Sequence, residues 1–248
     1  MVDSNKLEKK IEELLDHFCK RRIAILNTLD LKKTLKRKNP YLFRAIGVQK
    51  AAEIVEGLLS AYASSSDEGI FGDAFFEPLA KFVSGGQVSP SEGVDIAIED
   101  KTAYRAIAVK SGTSVFNAQS KRKQLQDFSS LEARLRKLRK HFDPIIGYCY
   151  GRKSQRGTTN VRELAGQAFW QEITGDPDFY LKIVRLMKDR PQAHRPHYEE
   201  SWGAAVNRFT RDFIAEFCFP DGTIDWEKLT KFNSGIPEKK AIKAPRDK

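Results

Sequence analysis

Cysteine is scarce in this chain: Cys19, Cys149 and Cys218 are the only ones in 248 residues. They are far apart and form no Cys-x-x-Cys or Cys/His cluster, which excludes a disulfide framework and a thiolate zinc site. Histidine is nearly as sparse, and only His194 and His197 approach metal-pair spacing. Pro191 and Pro196 are expected to break that segment and no third ligand lies nearby, so zinc is not expected there. Long apolar runs are missing too. None approaches the roughly 20 residues needed to cross a bilayer, and the opening Met1 to Lys6 leads into a charged helix without a signal-peptide core. The expected location is the cytoplasm. Acidic residues are outnumbered, 33 against 43 basic ones, for a formal net charge of +10. This balance suits a polyanionic partner, nucleic acid before an anionic membrane surface. No Gly-rich Lys-Ser/Thr phosphate loop is present; Gly166 to Trp170 lacks that pattern.

The hydrophobic content, 40%, is ordinary for a globular protein, and the length allows one full core with a helical attachment. Leu7, Ile11, Leu14, Leu15 and Phe18 recur at helical spacing and predict an amphipathic opening helix that runs on towards Leu31. Asn39-Pro40 marks a break before a helix over Ala51 to Leu59. Ser64 to Glu68 supplies an N-cap signal for a third helix through Ile70 to Val83. A turn-rich stretch, Ser84 to Ser91, precedes two predicted strands, Gly93 to Ile98 and Tyr104 to Gly112, joined as an antiparallel hairpin through Glu99 to Thr102. A long basic helix follows, with Leu125, Phe128, Leu131, Leu135, Leu138 and Phe142 as its buried stripe. Pro144 to Tyr150 reads as a third strand that returns parallel to its neighbour. Beyond Gly151 the pattern is mainly helical, near Glu163 to Ile173, Asp178 to Lys188 and Tyr198 to Phe217, and Glu238 to Lys248 reads as a solvated basic tail. Trp170, Trp202 and Trp226 are expected in cores.

The two hairpin strands carry the chemistry. Side chains alternate along a strand, so Val94, Ile96 and Ile98 are expected on one face with Asp95 and Ala97 on the other. On the second strand Ile107 and Val109 oppose Ala106, Ala108 and Lys110. An acid and an amine then share a face lined by small residues, with room for something to lie on it. Hydrolysing a phosphodiester at neutral pH needs a divalent cation, acids that hold it, and a positive group near the attacking oxygen. Asp95 and Lys110 suit two of these roles. Glu77 is the candidate further carboxylate: its helix, Ile70 to Val83, is apolar almost all round, and an ionised group there needs a metal or Lys110 as partner. Each residue also has a structural reading, with Glu77 pairing Lys81 one turn on.

Asp95 on one strand and Ala108-Val109-Lys110 at the end of the next resemble the PD-(D/E)XK nuclease superfamily, above all type II restriction endonucleases with an "IKSG" strand end. The resemblance extends from about Ser64 to Trp226 and includes Ile70-Phe71-Gly72, Phe76 to Ala80, Gly93-Val94-Asp95, Val109 to Gly112, Tyr148 to Gly151 and Gly166 to Trp170. It implies an α/β (α+β) fold with a mixed central sheet flanked by helices and helical N- and C-terminal additions. It also implies that Asp95 binds magnesium, that Lys110 positions or polarises the attacking water, and that the backbone carbonyl of Val109 is a metal ligand. Val94 replaces the proline before the acid. Ala108 stands where the second acid normally sits, leaving the site one carboxylate short. Glu77 is taken as the replacement, with Asp127 on the following helix as its rival.

The expected organisation is a helical region over 1–62, a nuclease domain over 63–235 and a basic tail over 236–248. Double-stranded DNA is the expected partner, with Lys121, Arg122 and Lys123 on its phosphates and Arg152 and Arg156, in a loop that leaves the third strand, on base edges. A homodimer suits a cut in both strands at a symmetric site. The alternatives are a structure-specific repair or recombination nuclease and a catalytically inactive DNA-binding relative.

Overall fold

The computed structural model describes residues 3–136, 140–153 and 160–236. In chain order the elements are α1 (Ser4–Thr28), α2 (Leu31–Leu35), α3 (Pro40–Ala45), α4 (Ala51–Phe71), a π-helical turn (Gly72–Phe76), α5 (Glu77–Ser84), β1 (Gln87–Val88), β2 (Ile96–Glu99), β3 (Ala103–Lys110), α6 (Ala118–Leu135), β4 (His141–Tyr148), β5 (Arg162–Ala165), α7 (Gln167–Thr174), α8 (Phe179–Met187), α9 (Arg190–Phe217) and α10 (Trp226–Ser234). The fold is mixed α/β. Its contacts form two units, Met1–Ala24 with Ser65–Glu199, and Ile25–Ser64 with Glu200–Lys248. The segment 63–235 expected to form one domain contributes to both.

The first unit is built on a mixed sheet with strand order β1-β2-β3-β4-β5. β1–β2 and β2–β3 are antiparallel, whereas β3–β4 and β4–β5 are parallel. The turn between β2 and β3 is tied by Asp100, whose Oδ1 accepts from the Thr102 and Ala103 N–H groups at 2.7 and 2.8 Å. Alternation along β3 divides two cores. Ile107 and Val109 pack with Ile96, Ile145 and apolar residues of α1, α5, α7 and α8. Tyr104, Ala106 and Ala108 face Phe128 and Leu131 of α6, with Ile146 and Tyr148 beside them. Trp170 is buried in the first core and its indole N–H donates to the Cys149 carbonyl at 2.8 Å.

The second unit is helical. Ile54, Val55, Leu58 and Leu59 of α4 meet Phe209, Phe213 and Phe217 of α9, the i, i+4 spacing that puts one stripe on a helix face. Trp202 and Trp226 pack at the edge of this core. The Asn233 side-chain amide donates to the Leu35 and Lys38 carbonyls at 2.9 and 2.7 Å, so α10 closes the end of α2.

Several local expectations change. Ser64 to Glu68 starts no helix: α4 continues through it, and Asp67 receives two hydrogen bonds from Arg22 of α1, each 2.7 Å, which gives its carboxylate a tertiary partner in place of a cap. Asn39-Pro40 opens a helix, α3, with the Asn39 side chain as N-cap and Pro40 where its missing N–H costs nothing. Gln87–Val88 and Arg162–Ala165 are strands where a turn and a helix were expected. Both are short and lie at sheet edges, where polar residues are tolerated and alternation is too brief to read. Phe142 belongs to β4 and not to the stripe of α6, and Leu138 lies outside the described residues. Pro191 and Pro196 do not break the chain: Pro191 falls in the first turn of α9, where its missing N–H costs nothing, Pro196 lies inside the helix, which continues through it, and His194 between them pairs with Asp16 at 2.7 Å. Among the described residues no helix is long and apolar enough to cross a membrane.

Candidate active site

Asp95 sits one residue before β2, where its backbone N–H still donates to the Ile107 carbonyl at 2.9 Å. The approach to it is bent by Gly93 at φ +73°, a conformation open to glycine at little cost. An added Cβ there would come within 2.6 Å of the Asp127 carboxylate. Gln124 of α6 pins the same turn through a 2.6 Å hydrogen bond to the Gly93 carbonyl. The bend also corrects the expected face of Val94, which packs with Ala106, Ala108 and Phe128 while Ile96 and Ile98 pack in the other core. Strand alternation does not extend back through a left-handed residue.

The Asp95 carboxylate faces the end of β3. Its Oδ2 accepts from the Val109 N–H at 2.7 Å and from Lys110 Nζ at 3.4 Å. Both side chains are about three-quarters buried, 25% and 27% exposed for Asp95 and Lys110. The small-residue face beneath them is not open as expected. Ala106 and Ala108 are fully buried under α6, so their size admits the helix and only the strand end is left accessible. The loop after Lys110 is held closely: a Cβ on Gly112 would lie 2.5 Å from the Tyr150 ring.

Glu77, at the start of α5, is electrostatically coupled to Asp95 and Lys110. Burial raises its carboxyl above the ordinary value, and the negative charges of Asp95 and Asp73 raise it further, while Lys110 and Lys81 pull it down. Burial likewise drives the Cys149 thiol up, with Glu77, Lys110 and Asp95 among the charges acting on it. Asp95 and Glu77 thus act on each other as like charges, and the Lys110 ammonium offsets both. The two carboxylates are a hard-oxygen donor set, and it fits magnesium, which is held by one or two carboxylates and keeps several waters. Among the described residues no group of three or more His, Cys, Asp or Glu side chains is arranged to hold a metal. Asp127 borders Gly93 and acts on Lys123.

The family model described as type II restriction endonuclease EcoO109I matches residues 5–195. The chain belongs to this family of restriction endonucleases. No curated protein matches it. The match includes the strand end with Asp95 and Lys110, Glu77, and the basic residues of α6.

The family's substrate is DNA, and the basic residues expected to meet it are dispersed. Lys121 turns inward to Glu163 Oε1 at 2.7 Å and to the Tyr148 hydroxyl at 3.4 Å. Lys123 pairs with Glu92 at 2.5 Å on the exposed surface, and Arg122 is exposed. Arg152 is exposed just beyond β4, and Arg156 lies outside the described residues. A cluster that the sequence did not announce surrounds Lys121. Tyr148 donates to Glu163 Oε2 at 2.8 Å, and Lys153 also bonds Glu163. Burial works against the Glu163 carboxylate, but hydrogen bonds from Lys121, Lys153 and Tyr148 prevail and hold it down at about 2. Reading this cluster from sequence would have required β5, which carries Glu163.

Proposed function

We propose that the chain is a magnesium-dependent endonuclease of the PD-(D/E)XK type that hydrolyses phosphodiester bonds of double-stranded DNA at a specific sequence, acting as a homodimer. The observation that carries this reading is the pairing of Asp95 with Lys110 at one strand end, with Glu77 within electrostatic range of both, in a chain of a restriction endonuclease family. Asp95, Glu77 and the Val109 carbonyl would hold the cation, which when bound polarises the phosphate and acidifies a water. Lys110, placed against Asp95, orients that water and offsets charge developing on the phosphate. The Val109 N–H fixes the Asp95 carboxylate, so the acid is positioned before substrate arrives. Glu77 supplies the carboxylate that Ala108 lacks. Two related sites in a dimer would cut both strands of a symmetric sequence.

Sequencing the ends produced from a defined plasmid in magnesium tests the proposal. Discrete ends at one recurring sequence are expected, whereas cutting confined to junctions or flaps would contradict it. Arg152 and Arg156 are assigned to base edges and Lys121, Arg122 and Lys123 to phosphates. Arg152→Ala should therefore relax discrimination between sites by roughly 10-fold or more, about 1–3 kcal/mol per base contact, with a smaller loss of general affinity. Equal losses on all sequences would remove that assignment.

A second reading, a DNA-binding relative without cleavage, draws on the alanine at position 108 and the lack of a third acidic ligand among the described residues. Magnesium titration separates the two, since the inactive relative would bind DNA in a salt-sensitive way and take up no magnesium.

A further inference from the structure

Two charge networks flank the sheet, and they differ in balance. On the face opposite Lys110, Arg105 and Arg162 meet Asp143 and Glu172, with Arg105 to Asp143 at 3.2 Å and Arg162 to Glu172 at 2.8 Å. Two cations and two anions cancel there, as in a structural brace. On the Lys110 face, Lys121 and Lys153 share one carboxylate, Glu163, and one phenol, Tyr148. Burial and the hydrogen bond to Glu163 raise the Tyr148 phenol, so it stays neutral. The cluster therefore has one positive charge to spare. Each ammonium has three N–H donors, and the protein partners named here use two on each.

Position adds to charge. Tyr148 is the ladder partner of Lys110 in the parallel β3–β4 register. Partners in a ladder share a face and are roughly 4.8 Å apart. The ammonium groups are also steadied over rings, Lys121 over Phe116 at 5.2 Å and Lys153 over Tyr148 at 4.8 Å. Successive phosphates on one strand of a duplex advance by about 3.4 Å along its axis. The two lysines gather around a side chain on the Lys110 face of the next strand, so a DNA strand that passes Lys110 would present a nearby phosphate to them.

We infer that Lys121 and Lys153 form a second phosphate-binding site, one strand over from Lys110, that grips a single backbone phosphate of DNA while Tyr148 and Glu163 act as positioning residues. The inference rests on the reading above in naming DNA as the source of the phosphate. Glu163 keeps two mutually repelling ammonium groups together, and the surplus charge is met only when a phosphate arrives. Lys153, Tyr148 and Glu163 thereby acquire roles in substrate binding, and Lys121 becomes half of a clamp instead of one member of a basic surface.

The test is equilibrium binding of a labelled duplex of about 30 base pairs in EDTA, measured against salt. Lys121→Gln and Lys153→Gln should each flatten the plot of log K against log salt, and the double variant should lose roughly 0.9 in slope, the value for one phosphate. A slope parallel to wild type would overturn the site, as would a loss of about 1.8, which puts the lysines on separate phosphates. Inorganic phosphate should compete only weakly; full protection of the lysine effect by low inorganic phosphate would assign the site to a free anion and overturn its place in DNA binding. In a Glu163→Gln background the two lysine losses should become additive, with Glu163→Asp restoring the non-additivity in part. Unchanged coupling in Glu163→Gln would remove the positioning role, a result that folding effects alone do not mimic. Because no cleavage is needed, the outcomes separate: flattened slopes with no cutting in magnesium keep the clamp and remove the nuclease reading, and cutting with unchanged slopes does the reverse.

Discussion

Asp95→Asn should lower plasmid cleavage in magnesium by on the order of 10³-fold, about 4 kcal/mol of barrier, with little change in melting temperature. The geometry separates the two effects. Asn is the same size, and its side-chain carbonyl still accepts from the Val109 N–H, the 2.7 Å bond that ties Asp95 to β3. The charge is what disappears. A neutral amide is a poor ligand for a divalent cation, and Lys110, 3.4 Å from the carboxylate, loses the anion that holds it at the strand end. Lys110→Ala should be comparably inactive for a complementary reason, the loss of positive charge beside the attacked phosphate. Rates within tenfold of wild type in either variant, measured with matched protein concentration and verified folding, would overturn the mechanism.

The parts of this arrangement that were legible in the sequence are those whose signal is local. The β2–β3 hairpin is written in two alternating segments around an Asp100 turn, and the parallel return of β4 follows from an intervening basic helix. Lys110 could be placed on the face of Ala106 and Ala108 by counting. The illegible parts depend on partners distant in sequence. Asp67 looks like a cap until Arg22 takes its carboxylate. Val94 looks like a companion of Ile96 until Gly93 turns the chain. The small residues of β3 look like a floor for a ligand until Phe128 and Leu131 cover them. Glu163 reads as a helical residue because four residues of edge strand carry too little pattern to identify β5, and without β5 the convergence of Tyr148, Lys121 and Lys153 has no centre.

Glu77→Gln should divide stability from activity. In the metal-free protein the Glu77 carboxyl is raised above 4.5, first by burial and then by Asp95 and Asp73. A carboxyl that holds its proton more tightly when folded favours the folded state at low pH. Its contribution turns against folding as pH climbs past 4.5 and through the raised folded value. At neutral pH in EDTA the Glu77 carboxyl is therefore a burden, and the glutamine variant should melt at or above the wild-type temperature. Magnesium reverses the order. A ligand that binds only the folded chain adds about 2.7 kcal/mol when present at 100 times its Kd, so the wild type should gain while the variant, one carboxylate poorer, stays nearly unmoved. Cleavage should fall by about 10²-fold or more. Calorimetry with and without magnesium, alongside plasmid cleavage, reads all three effects on one preparation. If Glu77→Gln instead responds to magnesium and cuts like wild type while Asp127→Asn does neither, the acid missing at position 108 is supplied from α6, and the cation lies on the Gly93 side of Asp95.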